Sequence, residues 1–153
     1  MIDFKKYTLE NGLRVLIHKD ASTPIVTINT VYDVGAKDED ESRTGFAHLF
    51  EHLMFGGSVN IPEFDAPLQN VGGQNNAFTS NDITNYYITL PKQNIETGLW
   101  LESDRMLSLA FTPESLEVQR SVVIEEFKQR YLNQPYGDVW LILRPLAYTT
   151  HPY

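Results

Sequence analysis

Residues 45–55 have the sequence GFAHLFEHLMF, which places an H-x-x-E-H motif inside an apolar stretch. Thr44 directly before the stretch has the side chain of a helix N-cap, and Gly56-Gly57 directly after it is a typical helix stop. The sequence therefore predicts a helix over residues 45–55, with Thr44 as its N-cap.

This helix carries two histidines and a glutamate on one side. Residues four apart share a helix face, so His48 and His52 can both reach one metal ion, and Glu51 lies beside the same point. Neutral imidazoles bind zinc well, zinc lowers the pKa of water to about 7, and a carboxylate beside it can accept a proton. The motif holds the parts of H-E-x-x-H in the opposite order. It predicts a zinc site with Glu51 as the base of a hydrolytic reaction.

A catalytic zinc needs a third protein ligand, and because the chain has no cysteine that ligand must be His, Asp or Glu. His18 and His151 are the remaining histidines. The best candidates are Glu125 and Glu126, which follow the apolar residues 122–124 on a later predicted helix. We expect that helix to pack against the core, where a buried carboxylate needs a partner. Helical periodicity does not choose between Glu125 and Glu126, and a solvated helix face that carries both is an equally good interpretation of the pattern.

The rest of the chain alternates irregularly between strand and helix signals. Asn11-Gly12 lies between two strand-like runs and predicts a hairpin over residues 7–18. Further predicted strands cover residues 24–34, 75–80 and 83–90; further helices cover residues 60–71, 113–133 and 137–144, and another starts at Pro91. Because the order is not a regular βαβα repeat, we predict one α+β domain, with a largely antiparallel sheet and helices packed on one face.

Composition excludes several classes of protein. The 153 residues are 42% hydrophobic and 21% charged, which is ordinary for a soluble globular domain. The net charge of −8 argues against nucleic acid or an anionic membrane as a partner. The acidic run at residues 38–41 is expected to be a solvated loop. No apolar stretch approaches a membrane span and no signal peptide is visible. We therefore expect a cytoplasmic protein, and a periplasmic one if the protein's natural start lies elsewhere.

Several motifs in order along the chain resemble the pitrilysin/insulinase family of zinc peptidases, which includes the mitochondrial processing peptidase. They are LENGL at residues 9–13, GFAHLFEHLMF at 45–55, GGQNNAFTS at 72–80, TNYY at 84–87 and VVIEE at 122–126. The resemblance runs over essentially the whole chain. It implies a pitrilysin-like metallohydrolase fold and a zinc-dependent endopeptidase that hydrolyses extended or unfolded peptides.

The resemblance also implies a role for each site residue. His48, His52 and Glu126 correspond to the ligands of one Zn²⁺ per chain, and Glu51 corresponds to the general base. The family usually has another glutamate seven residues before the last ligand, and here that position is Gln119. This departure removes no zinc ligand.

The strand predicted at residues 75–80 corresponds to the family's substrate-binding edge. Asn76 and Ala77 match the residues that meet the substrate backbone, and Phe78 and Thr79 continue the same strand. An extended peptide binds such an edge as an added strand, held by main-chain hydrogen bonds.

Family members use two homologous domains that face each other across a chamber. The resemblance therefore implies that residues 1–153 are a truncated amino-terminal zinc-binding domain, poorly active by itself, whose partners are a peptide and a second domain or subunit. The alternative is a non-catalytic homologue that acts as a partner or scaffold domain. Such homologues have typically lost the motif, which is intact here.

Overall fold

A computed structural model describes residues 2–110 and 112–153 of the chain. Its strands are β1 (Lys5–Thr8), β2 (Arg14–Ile17), β3 (Ile25–Tyr32), β4 (Gln74–Thr79) and β5 (Thr84–Pro91). Its α-helices are α1 (Phe46–Leu53), α2 (Asp65–Asn70), α3 (Ile95–Leu107), α4 (Pro113–Phe127) and α5 (Val139–Ala147). The predicted α+β class is confirmed, and every strand pairing in the described residues is antiparallel.

The larger sheet has the order β3-β5-β4, and the hairpin β1–β2 forms a separate sheet within the described residues. Side chains alternate across a sheet, and in β5 one face carries Tyr86, Ile88 and Leu90, all of them buried. Their partners in the register include Ala77 on β4 and Ile28 on β3. This face is the one that the helices cover.

The core lies between this face and the helices α1, α2 and α3, which confirms the expected packing of helices on one face. Its buried cluster consists of Ile61, Phe64, Leu68, Ile88, Leu90 and Leu101. Helix α3 approaches the sheet at Gly98, where an added Cβ would lie 2.6 Å from Ile28 Cδ1 and 3.3 Å from a Leu90 methyl group. Glycine at this position therefore permits close helix–sheet contact.

Two predicted helix boundaries are wrong for a physical reason. The helix predicted to start near residue 60 begins only at Asp65, because Ile61 and Phe64 enter the core through a turn in which Ser58 and Ile61 exchange backbone hydrogen bonds of 2.8 and 3.2 Å. Pro91 ends β5 instead of starting a helix, and α3 begins at Ile95 after a short 3₁₀ turn.

Helix α4 extends as predicted, but it does not pack in the core. Thr112 caps it by accepting a hydrogen bond from Ser115 N, and a π-helical turn, Lys128–Leu132, continues it. None of its residues is buried, and Val122 and Phe127 are 40% and 42% exposed. The expectation that a carboxylate of this helix is buried is therefore wrong, and the helix packs instead along α1.

An ion pair is buried between α3 and the larger sheet. Arg105 and Glu102, one turn apart on α3, form it with side chains 1% and 5% exposed, and Glu102 also accepts a 2.9 Å hydrogen bond from the Thr30 hydroxyl. The guanidinium lies 4.6 Å from the ring centre of Phe64 and 4.4 Å from that of Tyr86. This cluster joins α3 to the sheet.

Candidate active site

The helix that carries the H-x-x-E-H motif is fixed at its start by a distant acidic side chain. Thr44 is not its cap: the N-cap is Gly45, whose φ of 92° suits glycine, and no side chain of the cap itself bonds the helix. The Glu39 carboxylate instead accepts hydrogen bonds of 2.7 Å from both Gly45 N and Ala47 N. The acidic loop is thus not merely solvated, because one of its carboxylates satisfies the free N–H groups of α1.

The two histidines of α1 meet one carboxylate of α4. His48 Nε2 and His52 Nε2 lie 3.2 Å apart, and a Glu126 carboxylate oxygen lies 3.3 Å from the first and 3.6 Å from the second. In a tetrahedral zinc site with bonds of about 2.0–2.1 Å, neighbouring donor atoms lie about 3.3–3.4 Å apart. The three donor atoms therefore form a triangle of the size that a zinc ion requires, and within the described residues no other such group occurs.

Tertiary contact distinguishes the two adjacent glutamates of α4. Glu126 joins the histidines, whereas Glu125 forms a 2.6 Å ion pair with Lys128 on the exposed side of the helix. Gln119, two turns before Glu126, is half-buried. The imidazole His52 is 19% exposed and His48 37%, so the donor triangle is open to solvent on one side.

The other two histidines lie elsewhere. His18 follows the β1–β2 hairpin, and its Nδ1 lies 2.5 Å from the carbonyl oxygen of Asp3. His151 packs against the rings of Tyr148 and Tyr153 near the end of the chain. Neither joins the group formed by His48, His52 and Glu126.

Glu51 on α1 is hydrogen-bonded to a residue of the sheet. The hydroxyl of Thr79, at the end of β4, donates a hydrogen bond to Glu51 Oε2. Tyr86, paired in register with Ala77, is buried on the same face of the sheet, and burial raises its pKa; Arg105 opposes the shift and the Glu51 carboxylate adds to it. Tyr86 is therefore a neutral phenol at physiological pH. The sequence motifs contained Thr79 and Tyr86 but gave no signal that either lies beside Glu51.

Strand β4 has one free edge in the described residues, because the sheet order ends with it. Ala77 N donates a 2.8 Å hydrogen bond to Asn76 Oδ1, so this backbone group is satisfied locally by a side chain. Asn76 and Phe78 project from the exposed face of the sheet, and Ala77 and Thr79 project toward α1. The four predicted substrate-binding residues thus divide between two faces.

The fold and the donor triangle together indicate a metal-binding protein. Comparison with known families identifies which family it belongs to. Residues 14–136 match the sequence model of the family described as Insulinase (Peptidase family M16). The chain belongs to this family.

Its relatives include named zinc proteases. Zinc protease PqqE of Helicobacter pylori is 36% identical over 149 residues, which are 95% of this chain and 34% of that protein. A mitochondrial-processing peptidase subunit beta of Arabidopsis thaliana, described as probable, is 28% identical over 80% of this chain and 23% of its own length. The crystal structure of a protease from Helicobacter pylori superposes with a TM-score of 0.93 and 34% identity over 100% of this chain and 37% of that one.

The chain therefore spans about a third of the length of PqqE and of the solved protease. Across residues 2–110 and 112–153, no helix has both the length and the apolar composition needed to cross a bilayer.

Proposed function

We propose that this chain contributes the zinc-binding site of an endopeptidase that hydrolyses extended or unfolded peptides. The observation that carries the proposal is the donor triangle of His48, His52 and Glu126, with Glu51 on the same helix as the two histidines. Two imidazole nitrogens and one carboxylate oxygen, at 3.2 to 3.6 Å from one another, suit a single Zn²⁺ and leave a fourth position open. When bound, zinc supplies Lewis-acid polarisation and makes water more acidic.

The chain's own residues supply the remaining steps. Glu51 accepts a proton from the attacking water on its carboxylate and later delivers it to the leaving amine, as a general base and then a general acid. Its place on α1, three residues after His48, keeps it on the side of the helix that faces the donor triangle. Thr79 donates to Oε2, and the carboxylate keeps further lone pairs that can take that proton.

The peptide is proposed to bind as an added strand along β4. Main-chain hydrogen bonds at this edge can hold an extended peptide of any sequence. This suits unfolded substrates that are not recognised through one particular side chain. In the free protein, the Ala77 N–H donates a hydrogen bond to Asn76 Oδ1. A carbonyl oxygen of the bound peptide would replace Asn76 Oδ1 as the acceptor. Phe78, 48% exposed on the other face of the sheet, is proposed to contact substrate or the surface that covers it.

A homologous second domain or subunit, outside residues 1–153, is proposed to close the chamber over this edge. The support is that similar proteins named as zinc proteases are about three times as long as the part that this chain matches.

The test is hydrolysis of an internally quenched fluorescent, unstructured peptide by the full-length protein that the gene encodes. We expect cleavage that a chelator abolishes and added zinc restores. If the zinc-loaded full-length protein cleaves none of a panel of such peptides, the chain belongs instead to a non-catalytic homologue that acts as a partner or scaffold domain.

A further inference from the structure

The hydrogen bond between Thr79 and Glu51 links two parts of the proposed site that are far apart in the chain. Thr79 is the last residue of β4, the proposed peptide-binding strand, and Glu51 is on α1, the helix with the two histidines. Both side chains are half-buried. The contact lies on the helix-covered face of the sheet, because Thr79 pairs in register with the buried Thr84.

The chemistry of threonine suits this contact. A hydroxyl has one proton to donate, and Thr79 donates it to the carboxylate, so the hydroxyl cannot also donate to a substrate. A β-branched side chain on a strand has restricted rotation about χ1, so the direction of the hydroxyl follows from the backbone of β4. A glutamate on a helix has three rotatable bonds and gains a defined position from such a partner.

From this geometry we infer that Thr79 is a positioning residue: it holds Glu51 Oε2, orients the carboxylate for proton transfer, and thereby fixes the base relative to the peptide-binding strand. The inference rests on the proposed function, and it assigns Thr79 a task different from substrate binding. Two residues along a strand span about 6.6–6.8 Å. Through Thr79, Glu51 is therefore attached to β4 two residues beyond Ala77, and the peptide backbone would lie at Ala77.

The inference separates Thr79 from residues that act on zinc or on substrate. If Thr79 positions the base, its loss lowers kcat and leaves both KM and zinc content unchanged, because neither ligand donors nor the strand edge are altered. The effect also requires the Glu51 carboxylate, so it disappears when that carboxylate is already gone.

The experiment uses the full-length, zinc-loaded protein with the quenched peptide. Thr79→Val removes the hydroxyl at nearly constant shape, and we expect kcat to fall about tenfold or more with KM within about twofold. Thr79→Ser keeps the hydroxyl and should restore kcat to within about threefold of wild type. Thr89→Val is the matched control, since Thr89 on β5 carries its hydroxyl on the opposite face, 3.3 Å from that of Thr27.

A double-mutant cycle then tests the route of the effect. In a Glu51→Gln background, Thr79→Val should change kcat by less than about twofold. An undiminished kcat in Thr79→Val, a Thr79→Ser variant as slow as Thr79→Val, a rise in KM alone, or a loss of zinc would each overturn the inference. The same cycle measured by urea unfolding reports the contact independently of activity. If the wild-type protein is inactive but the unfolding free energies of Thr79→Val and Glu51→Gln are coupled, the contact exists, and both the proposed function and the positioning role are refuted. If these free energies are not coupled, the contact itself is refuted.

Discussion

His52 Nε2 and a carboxylate oxygen of Glu126 lie 3.6 Å apart, although the two residues belong to different helices, α1 and α4. No backbone hydrogen bond requires this approach, and α4 buries none of its residues. Where the two helices meet, imidazole nitrogens from α1 and a carboxylate oxygen from α4 come close together. Such close packing of polar atoms is unfavourable when they have no partner and favourable when they surround a cation.

Metal analysis tests directly whether His48, His52 and Glu126 bind zinc. We expect the purified protein to bind about one zinc per chain, and His52→Ala to lose most of it, because two donors hold zinc far less tightly than three. His18→Ala is the control, since His18 lies outside the donor group and should leave zinc content at the wild-type value. Equal zinc in the wild type and in His52→Ala would remove His52 from the ligand set.

The adjacent glutamates of α4 form a natural pair of variants. Glu126→Gln should weaken zinc binding by about 10-fold or more, because a neutral amide oxygen replaces a charged ligand. Glu125→Gln should change only an exposed ion pair with Lys128 and leave zinc affinity within about twofold. Competition with a zinc-sensitive dye gives both affinities. Loss of zinc in Glu125→Gln instead would show that the third ligand is one residue earlier than we assign it.

Glu51→Gln separates a base from a ligand. The amide keeps the shape of the side chain but cannot accept the proton, while the three proposed zinc donors, His48, His52 and Glu126, are untouched. In the full-length protein, turnover should therefore fall about 10²-fold or more while zinc content and peptide binding are retained.

Turnover of the quenched peptide and metal content are measured on the same sample, with Glu41→Gln on the exposed acidic loop as the control. Turnover near that of the wild type would exclude Glu51 as the base. Loss of metal together with activity would make it a ligand or a structural support.

Glu39 should stabilise α1 from outside the helix. Glu39→Ala leaves the Gly45 and Ala47 N–H groups without their acceptor, and we expect it to lower the free energy of unfolding by about 1–2 kcal/mol. Glu41→Ala, in the same acidic run, should stay within about 0.5 kcal/mol of wild type. Urea denaturation followed by circular dichroism gives both values. Equal stability of the two variants would rule out a capping role for Glu39.

The buried ion pair on α3 should be far more sensitive than an exposed one. Glu102→Gln leaves the buried Arg105 without its counter-charge and should lower the free energy of unfolding by about 3–5 kcal/mol. Glu117→Gln breaks a pair of the same i, i+3 spacing on the exposed side of α4 and should have little effect. If thermal or urea unfolding shows that both substitutions have similar small effects, Glu102 and Arg105 do not hold α3 to the sheet.

Local chemistry made much of the fold predictable from the sequence. The Asn11-Gly12 hairpin, the strand pair that turns at residues 81–82 and the Thr112-Pro113 helix start all follow from short-range preferences of the backbone. The side-by-side placement of His48 and His52 is also local, because it needs only the repeat of an α-helix. The start of α2 was not predictable in this way, since burial of Ile61 and Phe64 overrides the helical pattern of residues 60–64.

The sequence by itself determined that one helix presents two imidazoles and a carboxylate on one face. The helical pattern left Glu125 and Glu126 open, and the family resemblance pointed to Glu126; the tertiary structure shows that Glu126 faces the two imidazoles. Only the tertiary structure decided that Glu39 and not Thr44 caps that helix, and that Thr79 holds Glu51. Each of these contacts joins residues from different elements, so its geometry depends on how helices pack against a sheet. A helical or strand period fixes which side of an element a residue occupies; only packing fixes what stands opposite it.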